Sequence, residues 1–252
     1  MNSSARRLVS VLVLVAVWEG AVRLGLVPAF FLAAPSTILF QIVKLVESGV
    51  LPQNAGASMI RMLSGYLLAL ASGVVVGGLM GWFRWADDVL DPLVELVRPV
   101  SPLAILPLAI LWLGIGQASK IFVIWYACIF PVLLNTYAAV RSVPKSTIEA
   151  AWTLGASPDE VLRRVVFFHC LPPIFTGARI SFAVGMIVII AAEMVAADRG
   201  LGYMILTAQQ DFQTADLYAG IVTIAAIGFV GDRFIRWLRT RICPWYVEIE
   251  QT

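Results

Sequence analysis

Few residues in this chain have the type and spacing for chemistry. His169 is the only histidine, and the three cysteines, Cys128, Cys170 and Cys243, show neither metal-ligand spacing nor a disulfide framework. There is no Gly-Lys dipeptide, and hence no phosphate-cradling G-x-x-x-x-G-K-[ST] loop. A nucleophile elbow, a His-Glu-x-x-His helix and a carboxylate cluster suited to catalysis within the membrane are also lacking. The expectation is a protein that makes and breaks no bonds, with no metal or cofactor of its own. What remains is recognition. Glu149-Ala150-Ala151-Trp152-Thr153-Leu154-Gly155 is the one compact polar stretch between long apolar runs, flanked by Arg141, Lys145, Arg163 and Arg164. Beside two alanines the backbone is accessible, so a partner's cleft can close around this segment and pair with the Glu149 charge.

The elements that must position Glu149 are legible from start and stop signals. The loop holding it runs over about 33 residues, 141–173, too long for a mere connector. Pro144 sits where a first-turn proline is tolerated, and Gly155 where a helix ends in a left-handed cap. Ser157-Pro158-Asp159-Glu160 reads as a capping box with proline at the first helical position. The pattern is helix, glycine corner, helix. Val161, Leu162, Val165 and Val166 fall at helical spacing beside Arg163 and Arg164, an amphipathic pattern for a segment near a membrane surface.

Composition determines the class. Hydrophobic residues make up 60% and charged residues 13%, against about 25% charged in ordinary soluble domains; mean hydropathy is +0.88. The expected fold is an all-α integral membrane protein, a single transmembrane domain over 1–252. About six spans are placed near 8–26, 60–83, 97–115, 119–140, 174–196 and 216–238. With the amino terminus inside, twelve Lys and Arg fall on inside segments (Arg6, Arg7, Arg84, Arg98, Arg141, Lys145, Arg163, Arg164, Arg233, Arg236, Arg239, Arg241). Five fall outside (Arg23, Lys44, Arg61, Lys120, Arg199), with Arg179 within a span. Both termini and the Glu149 loop are therefore expected in the cytoplasm, and the net charge of +2 needs no nucleic acid partner. The first span is read as a retained helix rather than a removed signal peptide.

Several span features carry two readings each. Gly65, Ala69, Gly73, Gly77 and Gly81 recur every four residues and form a smooth stripe for close helix approach, within the chain or with a second subunit. Pro99, Pro102 and Pro107 break up the third span, so that it either kinks to pack or lines a water-filled path together with Pro131 and Asn135 of the fourth. Glu193 is either a carboxylate held by backbone donors of the neighbouring turn or a gate residue. Glu19 and Arg23, four apart, suit a structural pair; Arg179 suits snorkelling to headgroups; His169 suits a surface or interfacial position; the cysteines suit small apolar packing.

Glu149-Ala150-Ala151, three residues and then Gly155 resembles the EAA motif of membrane subunits of binding-protein-dependent ABC importers. Further matches run in order along residues 8–240: Glu95-x-x-Arg98-Pro99, Pro107-Leu108, Leu111-Trp112-Leu113-Gly114-Ile115-Gly116, Ser119-Lys120, Phe130-Pro131, Ala192-Glu193-Met194 and Gly200-Leu201-Gly202-Tyr203. They are similar to the nitrate, sulfonate and taurine branch. The resemblance implies a type I importer permease in the bacterial cytoplasmic (inner) membrane, with two identical copies forming the path. It implies a dimer of ATPase subunits that binds the ATP, and an external solute-binding protein. Glu149, Ala150, Ala151, Gly155 and Ser157 would couple to the ATPase; Pro107, Pro131, Asn135 and Glu193 would line or gate the path. The chain departs from the family where a Leu-Pro is expected: it has Val165-Val166-Phe167-Phe168, and Leu171-Pro172-Pro173 later, so the later prolines are expected to set the start of the fifth span. The alternative class is a stand-alone secondary transporter or channel, for which inverted repeats and a midplane ion site would be expected.

Overall fold

A computed structural model describes residues 3–28 and 30–246, without the side chains of residues 3–8 and 11. In chain order the helices are α1 Ser3–Arg23, α2 Pro35–Glu47, α3 Val50–Trp82, α4 Arg84–Val97, α5 Pro102–Leu113, α6 Gln117–Arg141 and α7 Lys145–Thr153. Then follow α8 Pro158–Val161, a π-helical turn Leu162–Val166, α9 Phe167–Ala196, α10 Leu201–Gln210 and α11 Thr214–Ile242. Four helices are long and apolar enough to cross a bilayer among the described residues: α3, α6, the continuous helix Pro158–Ala196 and α11. The pair α4 and α5, bent by 98°, makes a fifth crossing if it is one broken span. The span expected over 8–26 falls on α1, where residues 8 and 11 have side chains outside the described set.

The chain divides into two compact units, residues 1–59 with 193–226 and residues 60–192 with 227–252. The second unit is built on the small-residue stripe of α3. A Cβ at Gly65 would lie 2.8 Å from the Ile121 carbonyl and from Ile124; one at Gly73, 2.9 Å from Val132; one at Gly81, 2.5 Å from Val140. Gly77 faces Leu133 and Thr136, and Ala69 is fully buried. The partner residue rises with the glycine number, so α3 and α6 run parallel for some 16 residues, about 24 Å of a hydrocarbon core near 30 Å. Of the two readings of the stripe, packing within the chain is the one observed. Dispersion between closely approached backbones holds such a pair, because lipid supplies no hydrophobic drive to bring helices together.

Helix α9 lies antiparallel to α6. Gly177 meets Asn135 and Pro131, while Gly185 meets Cys128 and Met62 of α3. At the crossing Ser181 Oγ donates to the Cys128 carbonyl (2.6 Å), the Cys128 thiol donates to the Ser181 carbonyl (3.3 Å), and Tyr66 Oη donates to the Ala178 carbonyl (3.1 Å). These polar groups are enclosed and satisfied, as burial in apolar surroundings demands. On α11, Asp232 receives Arg179 and also Arg236, the latter at 2.6 Å. Arg179 is therefore ion-paired between helices rather than snorkelling to headgroups. Two cations counted among outside segments are also enclosed: Arg61 donates to Gln117, and Lys120 Nζ to the Gly116 carbonyl at 2.9 Å.

Parallel α3 and α6 require the chain to travel back along them between Trp82 and Gln117. Helix α5, with 12 residues, rises only about 18 Å. Residues 98–101 and 114–116, outside the helices, flank it on either side. The irregularity expected of the third span is thus a break at Arg98–Ser101, with Pro99 inside it and Pro102 opening α5. Pro107 lies inside α5 without ending it.

In the first unit Glu19 pairs with Arg23 at 2.6 Å and accepts from the Ser36 amide (3.0 Å) and hydroxyl (2.7 Å), tying α1 to the start of α2. Gln41 donates to Asp216, and Trp18 packs on Tyr218 with ring centroids 6.2 Å apart.

Adding a methyl group at Gly77 presses on the Leu133 backbone, whereas Gly78 has open space around its Cβ position. Gly77→Ala should therefore destabilise the detergent-solubilised protein by about 1–3 kcal/mol. Gly78→Ala should be neutral or stabilise by up to about 1 kcal/mol. Thermal unfolding of both variants checks the contrast.

Candidate functional site

The Glu149 loop is a small folded body with its own core. Ala139, Val143, Val161, Val166 and Cys170 are buried together, with Ile148, Ala151, Ala156 and Trp82 packed around them. Helix α7 turns Ile148 and Ala151 inward, which leaves Glu149, Ala150 and Trp152 exposed on its other side. Leu154, at the end of the helix, is 88% exposed. Helix α7 begins one residue later than expected, with Pro144 as its extended N-cap rather than in its first turn.

The corner is a Schellman cap. The Ala156 amide donates to the Ala151 carbonyl (3.0 Å) and the Gly155 amide to the Trp152 carbonyl (2.9 Å), with Gly155 at φ +83°. Within the loop it is at Gly155 that the backbone demands the left-handed region, where a side chain costs about 1–2 kcal/mol. The Ser157 hydroxyl then accepts from the Glu160 amide (3.3 Å), and Glu160 accepts in return from the Ser157 amide (3.0 Å), completing the capping box. The Glu160 carboxylate thus sits at the positive helix start, which it complements.

The second loop helix has no end of its own. Past Val161 it widens into the π-helical turn Leu162–Val166 and runs on as α9, with Pro172 and Pro173 inside that helix. The sequence pattern suggested that the later prolines set the start of the span; the helix instead runs through both of them. Val143 at one end of the loop core and Cys170 at the other tie it to α6 and α9, so displacement of the loop acts on both helices. His169 is exposed, with its Nε2 3.3 Å from Ser142 Oγ.

The other expected residues lie elsewhere. Pro131 and Asn135 meet Gly177 at the α6–α9 crossing, and Asn135 Nδ2 donates to the Pro131 carbonyl at 2.8 Å. Pro107 is exposed on α5. Glu193, in the first unit, is fully enclosed at the start of α10: it accepts from Ser58 Oγ (2.7 Å) and the Gly202 amide (3.0 Å). Ser58 Oγ accepts from the Leu201 amide (2.8 Å), and Asn54 Oδ1 from the Gly200 amide (2.8 Å). Glu193 thus accepts from one backbone amide of the neighbouring turn and from the Ser58 hydroxyl. Asn54 and Ser58 escaped notice in the sequence because one polar residue per helical turn is unremarkable until the structure pairs it with a helix start.

A family model described as a binding-protein-dependent transport system inner membrane component matches residues 69–243, a stretch that contains the whole Glu149 loop. The chain belongs to this family. The permease is 39% identical to the taurine transport system permease protein TauC of Escherichia coli, over 94% of its own length and 88% of TauC. It is 34% identical to the putative aliphatic sulfonates transport permease protein SsuC of Bacillus subtilis, over 92% and 84%. With the bicarbonate transport system permease protein CmpB of Synechococcus elongatus the identity is 36%, over 73% and 66%. A chain of the MetNI methionine ABC transporter, solved in inward-facing conformations, superposes with a TM-score of 0.56 at 19% identity, covering 71% of the permease and 92% of that chain; it shares the type I permease fold. The permease is accordingly a membrane subunit of an ABC import system, and the stand-alone transporter finds no support.

Gly155→Val should strain the corner and make the Thr153–Ser157 segment several-fold more sensitive to limited proteolysis, with Gly155→Asn closer to wild type. Gly200→Ala should lower thermal stability, since its Cβ would overlap the Glu193 carboxylate and Gly200 sits at φ +135°; unfolding curves in detergent read the loss.

Proposed function

We propose that this permease, acting as one domain over 1–252, forms with a second copy the path for a small solute bearing an anionic oxo group, of the sulfonate, taurine or bicarbonate kind, and receives work through the Glu149 loop. The observation that carries the reading is the exposed face of the loop: Glu149, Ala150, Trp152 and Leu154 project from a body whose inner face is packed on the ends of α3, α6 and α9. An exposed tryptophan and leucine around one carboxylate suit a partner cleft, because apolar anchors supply affinity and one charge supplies register.

In this reading a pair of ATPase subunits grips the two loops from the cytoplasmic side, where both chain termini also lie. Closure of the ATPases on ATP displaces the Schellman corner and capping box as a rigid piece, and α6 and α9 follow. Two packings of the helices then alternate, biased by nucleotide on one side and by an external solute-binding protein on the other. Pro107, exposed on the short α5, faces the path, with Pro131 and Asn135 shaping the helices of the same unit; Glu193 locks the start of α10 in the other unit. Solute class is inferred from the names of the relatives, and the binding protein selects among solutes.

Glu149→Lys and Leu154→Asp should each release the ATPase from the permease in a detergent pull-down and reduce uptake at least tenfold in proteoliposomes supplied with binding protein and ATP. Membrane insertion should be unaffected. Normal pull-down and uptake by both variants, or uptake by wild type with no ATPase present, would overturn the assignment.

A further inference from the structure

Helix α4 carries three separate faces. At 100° per residue, Ala86, Leu90 and Val94 fall in one sector and are buried or half-buried, with Asp87 at its edge joined to Arg141 at the base of the Glu149 loop. A second sector holds Trp85, Val89, Leu93 and Leu96, which are 65%, 59%, 54% and 72% exposed. The third holds Arg84, Asp88 and Glu95, all exposed, with Asp91 beside them and Arg98 just past the end. The apolar exposed sector spans roughly the 100° expected of an amphipathic stripe.

We propose that α4 is an interfacial helix lying in the plane of the bilayer, with the Trp85–Leu96 stripe in the headgroup and upper acyl region and the Asp88–Glu95 face in water. Its 14 residues reach about 21 Å, short of a crossing. A crossing helix would also turn Asp88 and Glu95 toward lipid, which hydrocarbon penalises heavily. The occupant of the apolar stripe is the bilayer rather than a protein, on three grounds. Helix α4 starts directly after α3 ends at Trp82, itself a membrane-spanning helix, and the Phe83 and Trp85 rings lie 6.3 Å apart, which continues the aromatic rim at that end. Helix α5, which makes the crossing, departs at 98° from α4. Arg84 and Arg98 stand at its two ends, where long cations reach lipid phosphates. Because the water-facing sector is acidic, the attachment is driven by burial of apolar surface, and it holds equally on neutral and anionic lipid. Through Asp87 and Arg141 this surface-lying helix fixes the base of the loop at a set depth.

The test is a depth measurement on the full chain, purified with the subunits it retains and reconstituted in liposomes. Nitroxide labels at each position from 85 to 96, with the native cysteines replaced, should show oxygen accessibility peaking at 85, 89, 93 and 96 and water-phase relaxant accessibility peaking at 88 and 95, at one shallow depth throughout. Should removal of the cysteines disturb folding, Trp85 can be read with them in place, as the difference in quenching between wild type and Trp85→Phe. That difference should be largest with lipids brominated near the headgroup, and the same in neutral and anionic vesicles. Depth increasing steadily from 85 to 96, strongest quenching by bromines near the bilayer centre, or absence of lipid access at the apolar stripe would overturn the proposal; the last would show a protein partner there.

Discussion

The unit that carries the Glu149 loop depends on backbones that touch. Gly65, Gly73, Gly77 and Gly81 let α3 lie against α6 so closely that single methyl groups would collide with carbonyls or side chains of the facing helix. In lipid, where no water is expelled when two apolar helices meet, this proximity is what generates attraction. From it follow the parallel direction of the two helices, the need for the intervening chain to recross, and the break at Arg98–Ser101 that lets a 12-residue helix serve in that crossing.

Polar groups in the helical core obey the same economy of space. Cys128 and Ser181 exchange bonds across α6 and α9, and Asp232 gathers Arg179 and Arg236. Each such pair replaces a bond that water would make elsewhere, and each fixes one register between helices. The Glu149 loop rests on the end of this frame with a core of its own, so its exposed face is presented by a rigid support rather than by a mobile connector.

Much of the loop was legible in advance because capping is local physics. Gly155 and the Ser157 to Glu160 box act over three to five residues, and the structure bears out both. The membrane class and most span positions were legible for a similar reason, since twenty apolar residues report their own environment. The far end of the loop was not. Pro172 and Pro173 lie inside a helix that is already running when it reaches them, and the π-helical turn Leu162–Val166 that joins α8 to α9 has no sequence signature. Arg179 also misled, because a cation one turn inside a span looks the same whether it reaches outward to phosphates or sideways to an aspartate 53 residues away.

The amino-acid sequence by itself determined that this is a membrane protein, where the cores of its long apolar helices lie, and which segment offers a charge to a partner, though not helix ends: α3 starts at Val50 rather than near 60. These properties are set by composition and by interactions within one helical turn. Tertiary structure alone decided which face of the small-residue stripe meets which helix, that Glu193 closes the start of α10, and that Trp152 and Leu154 point outward while Ile148 and Ala151 point in. Those outcomes rest on contacts between residues tens to hundreds of positions apart, whose pairing no local pattern encodes.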